Sequence, residues 1–160
     1  MRFTITKLMK QLKKEHKLAT RSDSKKSLEE MIQLITLVDG NKAIEVPLTT
    51  KGVNRGGVIE CITRLIVEGK KEVAMCGKLT VDMELNGVKY DIKYCSNYSL
   101  GNAPDINSDY VLQFAKGQYH LIKSDSVITN AHDNTCVNQP NEIMVIEPSK
   151  LRETLLVVGL

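Results

Sequence analysis

Leu79-Thr80-Val81-Asp82-Met83-Glu84-Leu85-Asn86-Gly87-Val88-Lys89-Tyr90-Asp91-Ile92-Lys93-Tyr94 alternates apolar and polar residues on both sides of Asn86-Gly87. Asn-Gly between two alternating runs is the strongest short-range signal for a two-residue type I′ hairpin, whose central residues both need positive φ. The turn predicts the register: Leu85 faces Val88, Glu84 faces Lys89, Met83 faces Tyr90 and Asp82 faces Asp91. Alternation puts Leu79, Val81, Met83, Leu85, Val88, Tyr90, Ile92 and Tyr94 on one apolar face. Thr80, Asp82, Glu84, Lys89, Asp91 and Lys93 occupy the other.

Period-two patterning continues after this hairpin, with strands expected over 110–115, 118–122 and 141–146, then a closing helix with Pro148 in its first turn. A strand is expected over 72–76 before it. Further upstream the period becomes helical. Ile5, Leu8, Met9 and Leu12 share the face of a first helix. A second helix is expected to start at Ser27, where Ser27 and Glu30 match a capping box, and to stop at Asp39-Gly40. Residues 43–48 read as a short strand or extended segment. A basic, glycine-bearing loop over 51–57 leads into a third helix over 57–68, ended by Gly69. Helices first and a mostly antiparallel or mixed sheet afterwards give an α/β (mixed α+β) domain with the sheet flanked by helices.

At 160 residues, 42% apolar and 26% charged, the chain suits one domain with a real core and excludes disordered or collagen-like classes. A single domain over 1–160 is therefore expected, with a basic helical arm over 1–40 and a core over 51–125. No apolar run approaches the roughly 18 residues of a membrane span. The basic N-terminus lacks the apolar stretch of a signal peptide, which predicts a cytoplasmic protein with no membrane partner. The four cysteines are widely spaced and form no CxxC pair, so they read as free thiols in a reducing compartment. His132 and Cys136 lack further zinc ligands, and no Walker loop, dinucleotide fingerprint or Ser/His/Asp order is present.

Charge is unevenly placed. Residues 1–26 carry nine basic and two acidic residues, a net +7, on a chain whose total is only +3. Such an imbalance suggests attraction to a polyanion through Lys10, Lys13, Lys14 and Lys17, joined by Lys51 and Arg55 of the glycine-bearing loop. The alternative is the solvated face of a surface helix.

Facing Cβ atoms across a strand pair lie about 4.5–5.5 Å apart, and like charges there repel. Asp82 opposite Asp91 therefore reads as a hard-cation site of oxygen ligands, with Lys93 on the same face. The alternative is a solvent-facing strand pair whose charges have no task. Glu60 stands among Val58, Ile59, Cys61 and Ile62, where a carboxylate needs a partner. That partner is either the same cation or Arg64 one turn later.

Glu60 on a helix, Asp82 on a strand and Asp91-Ile92-Lys93 on the next strand resemble the PD-(D/E)xK nuclease superfamily. Arg55-Gly56-Gly57-Val58-Ile59-Glu60 is also similar to the basic-Gly-x-x-x-Glu opening of archaeal-type Holliday junction resolvases in that superfamily. The resemblance spans about 55–122, with Val81 in place of the family's proline and Asp91 where glutamate is commoner. It implies a restriction-endonuclease-like core and Mg²⁺-dependent hydrolysis of phosphodiester bonds in DNA, with Mn²⁺ substituting. It further implies Asp82, Asp91, Glu60 and the Ile92 carbonyl as metal ligands, and Glu60, Asp82, Asp91 and Lys93 as catalytic residues. A junction-like symmetric substrate would be met by a homodimer. An RNA endonuclease on the same fold, a catalytically silent nucleic-acid-binding module and a structural or interaction protein remain as rivals.

Overall fold

Thr4 stands where a strand gives way to a helix. β1 (Arg2–Thr4) ends there, and the Thr4 hydroxyl accepts the Lys7 amide at 3.2 Å to cap α1 (Ile5–Leu18). The computed structural model describes residues 1–75, 81–94, 107–126, 128–129, 136–137 and 142–158. The chain divides into two compact units, Met1–Met75 and Cys76–Leu160.

In the first unit, α1 is followed by α2 (Ser22–Ile35), β2 (Ala43–Glu45), β3 (Leu48–Thr49), β4 (Gly52–Val53), α3 (Arg55–Glu68) and β5 (Glu72–Ala74). Strand β2 lies centrally, antiparallel to β1 and parallel to β5, with Ile44 opposite Phe3 on one side and Val73 on the other. The β3–β4 pair forms a small separate hairpin. Leu8 and Leu12 of α1, and Leu28 and Met31 of α2, are fully buried. The segment expected to be a helical arm is thus part of this unit's core, because its apolar stripe needs cover that a projecting helix lacks.

Helix α2 starts five residues before the expected capping box. Arg21 is its N-cap without a side-chain bond, and Ser27 sits inside the helix, buried. Asp23 in the first turn accepts the Ser24 amide at 2.8 Å. That amide, and next among the favourable contacts the Arg21 guanidinium, holds the Asp23 carboxyl below its usual range. An acidic first turn opposite the helix dipole supports this earlier start. The helix also stops at Ile35, short of Asp39-Gly40.

Helix α3 begins at Arg55, two residues earlier than expected. Asn54 accepts the Gly57 amide at 2.9 Å, and Gly69 closes the helix at φ 67°. Its residues 57–63 are buried without interruption, so it is an interior helix.

The second unit contains β6 (Met83–Leu85), β7 (Val88–Tyr94), β8 (Tyr110–Ala115), β9 (Gln118–Lys123), β10 (Ile128–Thr129), β11 (Cys136–Val137) and β12 (Glu142–Ile146). After a 3₁₀ turn at Pro148–Lys150 comes α4 (Leu151–Leu155). Five strands form a sheet in the order β12-β9-β8-β7-β6. The β7–β8 pair is parallel and its other neighbours are antiparallel, so the sheet is mixed. Strands β10 and β11 pair separately.

Asn86 and Gly87 take φ 52° and 79°, and Met83, Glu84 and Leu85 pair with Tyr90, Lys89 and Val88 as expected. Lys116 and Gly117, at φ 55° and 78°, join β8 to β9 in the same way. Tyr90, Phe114 and Tyr119 are fully buried, with Tyr90 stacked on Tyr110 and Phe114 tilted against Tyr119. Among the described residues, no helix is long and apolar enough to cross a membrane.

Candidate metal site and nucleic-acid interface

The β6–β7 ladder stops at Met83 opposite Tyr90, one position short of the two aspartates. Asp82 lies just outside β6. Its Oδ2 accepts the Ile92 amide at 2.7 Å, so a side chain takes up the donor that a longer ladder would have used. This bond brings the Asp82 carboxylate to the peptide nitrogen that follows Asp91.

Asp91 is only 4% exposed, and its Oδ1 lies 3.3 Å from Lys93 Nζ. Both side chains lie on one face of β7, two residues apart. The expected polar face of the hairpin is therefore partly interior. Lys93 is itself mostly buried, which strengthens the attraction to Asp91 above that of a surface pair. Glu84 faces Lys89 in register, but among the described residues no ion pair joins them.

Two polar residues that sequence reasoning passed over continue this row. Gln113 pairs with Lys93 across β7–β8 and with His120 across β8–β9, which places all three on one face. Gln113 is fully buried and His120 nearly so. His120 Nε2 donates to the Ala115 carbonyl at 3.3 Å. The signal was in the parity of the strands, once β7 and β8 are known to be parallel.

Tyr90 lies on the opposite face. Burial, then the neighbouring Tyr110 and Asp109, pushes its phenol up to about 12. Its hydroxyl has no hydrogen-bond partner among the described residues.

Glu60 is buried within α3 of the first unit, whereas Asp82, Asp91, Ile92 and Lys93 belong to the second. Arg64, one turn after Glu60, reaches Glu68 at 3.3 Å and the Ala74 carbonyl at 2.8 Å. Among the described residues, no three His, Cys, Asp or Glu side chains converge to hold a metal ion. The hairpin end brings the Asp82 carboxylate to the Ile92 amide, next in sequence to Asp91.

The expected phosphate-binding residues all lie in the first unit. Lys10, Lys13, Lys14 and Lys17 are exposed on α1, opposite the buried Leu8 and Leu12. Lys51 is exposed between β3 and β4, and Arg55 opens α3 with its guanidinium donating to Ser24 Oγ at 3.0 Å. Lys14, Lys51 and Arg55 line one cavity, whose lining does not include Lys10, Lys13 or Lys17.

No family model matches the chain, and comparison with curated proteins and with solved structures finds no match.

Proposed function

We propose that the chain is a cytoplasmic, metal-dependent endonuclease that hydrolyses phosphodiester bonds in DNA. The observation that carries this reading is the hairpin end. Asp82 is bonded to the peptide following Asp91, and Asp91 is paired with a mostly buried Lys93. Two carboxylates and a lysine partly withdrawn from water at the end of one hairpin are costly to desolvate, and such clusters recur at functional sites.

Asp82, Asp91 and the Ile92 carbonyl would hold Mg²⁺ or Mn²⁺. When bound, such a cation supplies Lewis acidity and a source of hydroxide at neutral pH. Lys93 keeps its ammonium beside Asp91, where it orients water and offsets charge growing on the attacked phosphate. Exposed lysines of α1 contribute contacts to backbone phosphates, which give affinity without sequence information. The reading asks nothing of Glu60. The order of an interior helix, a hairpin and a parallel third strand supports a restriction-endonuclease-like core. A homodimer would present two such hairpins to a two-fold symmetric substrate.

The test is cleavage of plasmid and branched DNA by purified protein with Mg²⁺ or Mn²⁺, stopped by EDTA. Asp91→Asn and Lys93→Ala should each lose cleavage while still binding DNA. Full cleavage by both variants would overturn the reading. Cleavage of RNA in preference to DNA would move the substrate class.

A further inference from the structure

A cavity of about 490 Å³ opens in the first unit between α1, the start of α2, the β3–β4 hairpin and the start of α3. Its walls carry Lys14, Glu15, Ser24, Thr49, Lys51 and Arg55. Its volume falls within the range of small-ligand sites and is too small for a duplex segment.

Among the described residues, Lys14, Lys51 and Arg55 make no ion pair. Arg55 spends one donor on the neutral Ser24 hydroxyl. Glu15 is the wall's only acid, and its carboxylate is already engaged. Its Oε2 accepts Gln11 Nε2 at 2.9 Å and the Val53 amide at 3.3 Å. Gly52, at φ 115°, makes room for that arrangement, since a Cβ there would collide with the Glu15 carboxylate. The carboxylate is therefore held in the wall by neutral donors. With Glu15 counted against the three cations, the cavity is left with a net charge of +2.

That charge selects among phosphates. A phosphate monoester carries about −2 at neutral pH, whereas a diester carries about −1. The space exceeds what a bare phosphate fills, and Leu18 and Leu48 add apolar wall that is otherwise exposed to water. From these features we infer that the cavity binds the 5′-phosphate monoester of a nucleotide, with Lys14, Lys51 and Arg55 on the phosphate and the apolar wall against the nucleoside. The ligand is either a free mononucleotide or the 5′-phosphorylated end of a strand. Every residue involved lies in the first unit, so the inference does not rest on the nuclease reading.

Calorimetric titration in EDTA tests it on the full chain with four probes: deoxyadenosine 5′-monophosphate, deoxyadenosine, a 5′-phosphorylated oligothymidylate and the same oligomer with a 5′-hydroxyl. The phosphorylated member of at least one pair should bind about tenfold or more tightly than its partner, as expected for charge-assisted bonds. Tight binding of the mononucleotide identifies a free nucleotide as the ligand, and tight binding of the phosphorylated oligomer alone identifies a strand end. Lys14→Ala and Lys51→Ala change exposed side chains and should each weaken binding about tenfold with unaltered melting. Equal affinity within both pairs, no binding of any probe, or undiminished binding by both variants would overturn the inference.

Discussion

Asp82 accepts the Ile92 amide at 2.7 Å, while Asp91 is answered by Lys93 at 3.3 Å. The two aspartates at the end of the hairpin are thus partnered separately, one by backbone and one by a cation. Stability and metal binding should therefore separate on mutation. Asp82→Asn keeps a carbonyl oxygen for Ile92 and should melt close to wild type, whereas Asp82→Ala strands the amide and should lose about 1–3 kcal/mol. Mn²⁺ at a hundredfold excess over its dissociation constant should stabilise wild type by about 2.7 kcal/mol and Asp82→Asn by far less. Melts of the three proteins with and without Mn²⁺ decide this, and an equal shift in wild type and Asp82→Asn would remove Asp82 from the site.

Lys93 carries a second expectation. Removing one member of a buried pair leaves the other charge poorly compensated. Lys93→Met should cost about 2 kcal/mol or more in urea unfolding, and Asp91→Asn in the same chain should recover part of that loss. Purely additive losses would mean that the two side chains touch without depending on each other.

The interior position of Ser27 reverses the sign of a simple substitution. At an N-cap, Ser→Ala would cost about 1 kcal/mol. Here the buried hydroxyl has no partner among the described residues, and alanine is the better helix former. Ser27→Ala should raise the melting midpoint, and a fall of several degrees would show that the hydroxyl has a stabilising partner.

Tyr90 predicts alkaline behaviour. Its folded value of about 12 lies above the ordinary value of 10.0. A raised folded value stabilises the fold fully below the unfolded one and loses that contribution as pH rises through the folded one. Wild type should therefore lose stability relative to Tyr90→Phe between about pH 10 and 12. At neutral pH the variant should be at least as stable, because the lost hydroxyl had no partner among the described residues. Urea midpoints across that window, with tyrosinate absorbance, check both points. Parallel curves for the two proteins would show that Tyr90 ionises elsewhere or not at all.

The hairpin was legible because Asn86-Gly87 requires a backbone that few other dipeptides adopt, and its register follows from the turn alone. Helix α3 was nearly as clear, since Asn54 and Gly69 mark its two ends. The early start of α2 was hidden because Asp23 signals a helix start through its charge, while Ser27 imitates a cap in letters only. The polar row from Lys93 through Gln113 to His120 could not be assembled from one strand at a time. It appears only when β8 is known to run parallel to β7. Likewise, the companionship of Lys14 with Lys51 and Arg55 depends on the hairpin of β3 and β4 folding beside α1, which no local pattern specifies.

Strand β2 is only three residues long, yet it borders β1 from the beginning of the first unit and β5 from its end. The first border closes the chain around α1 and α2, and the second closes it around α3. The amides of residues 43–45 should consequently be among the slowest in this unit to exchange with deuterated solvent, and β1, α3 and β5 should open with them as one cooperative step.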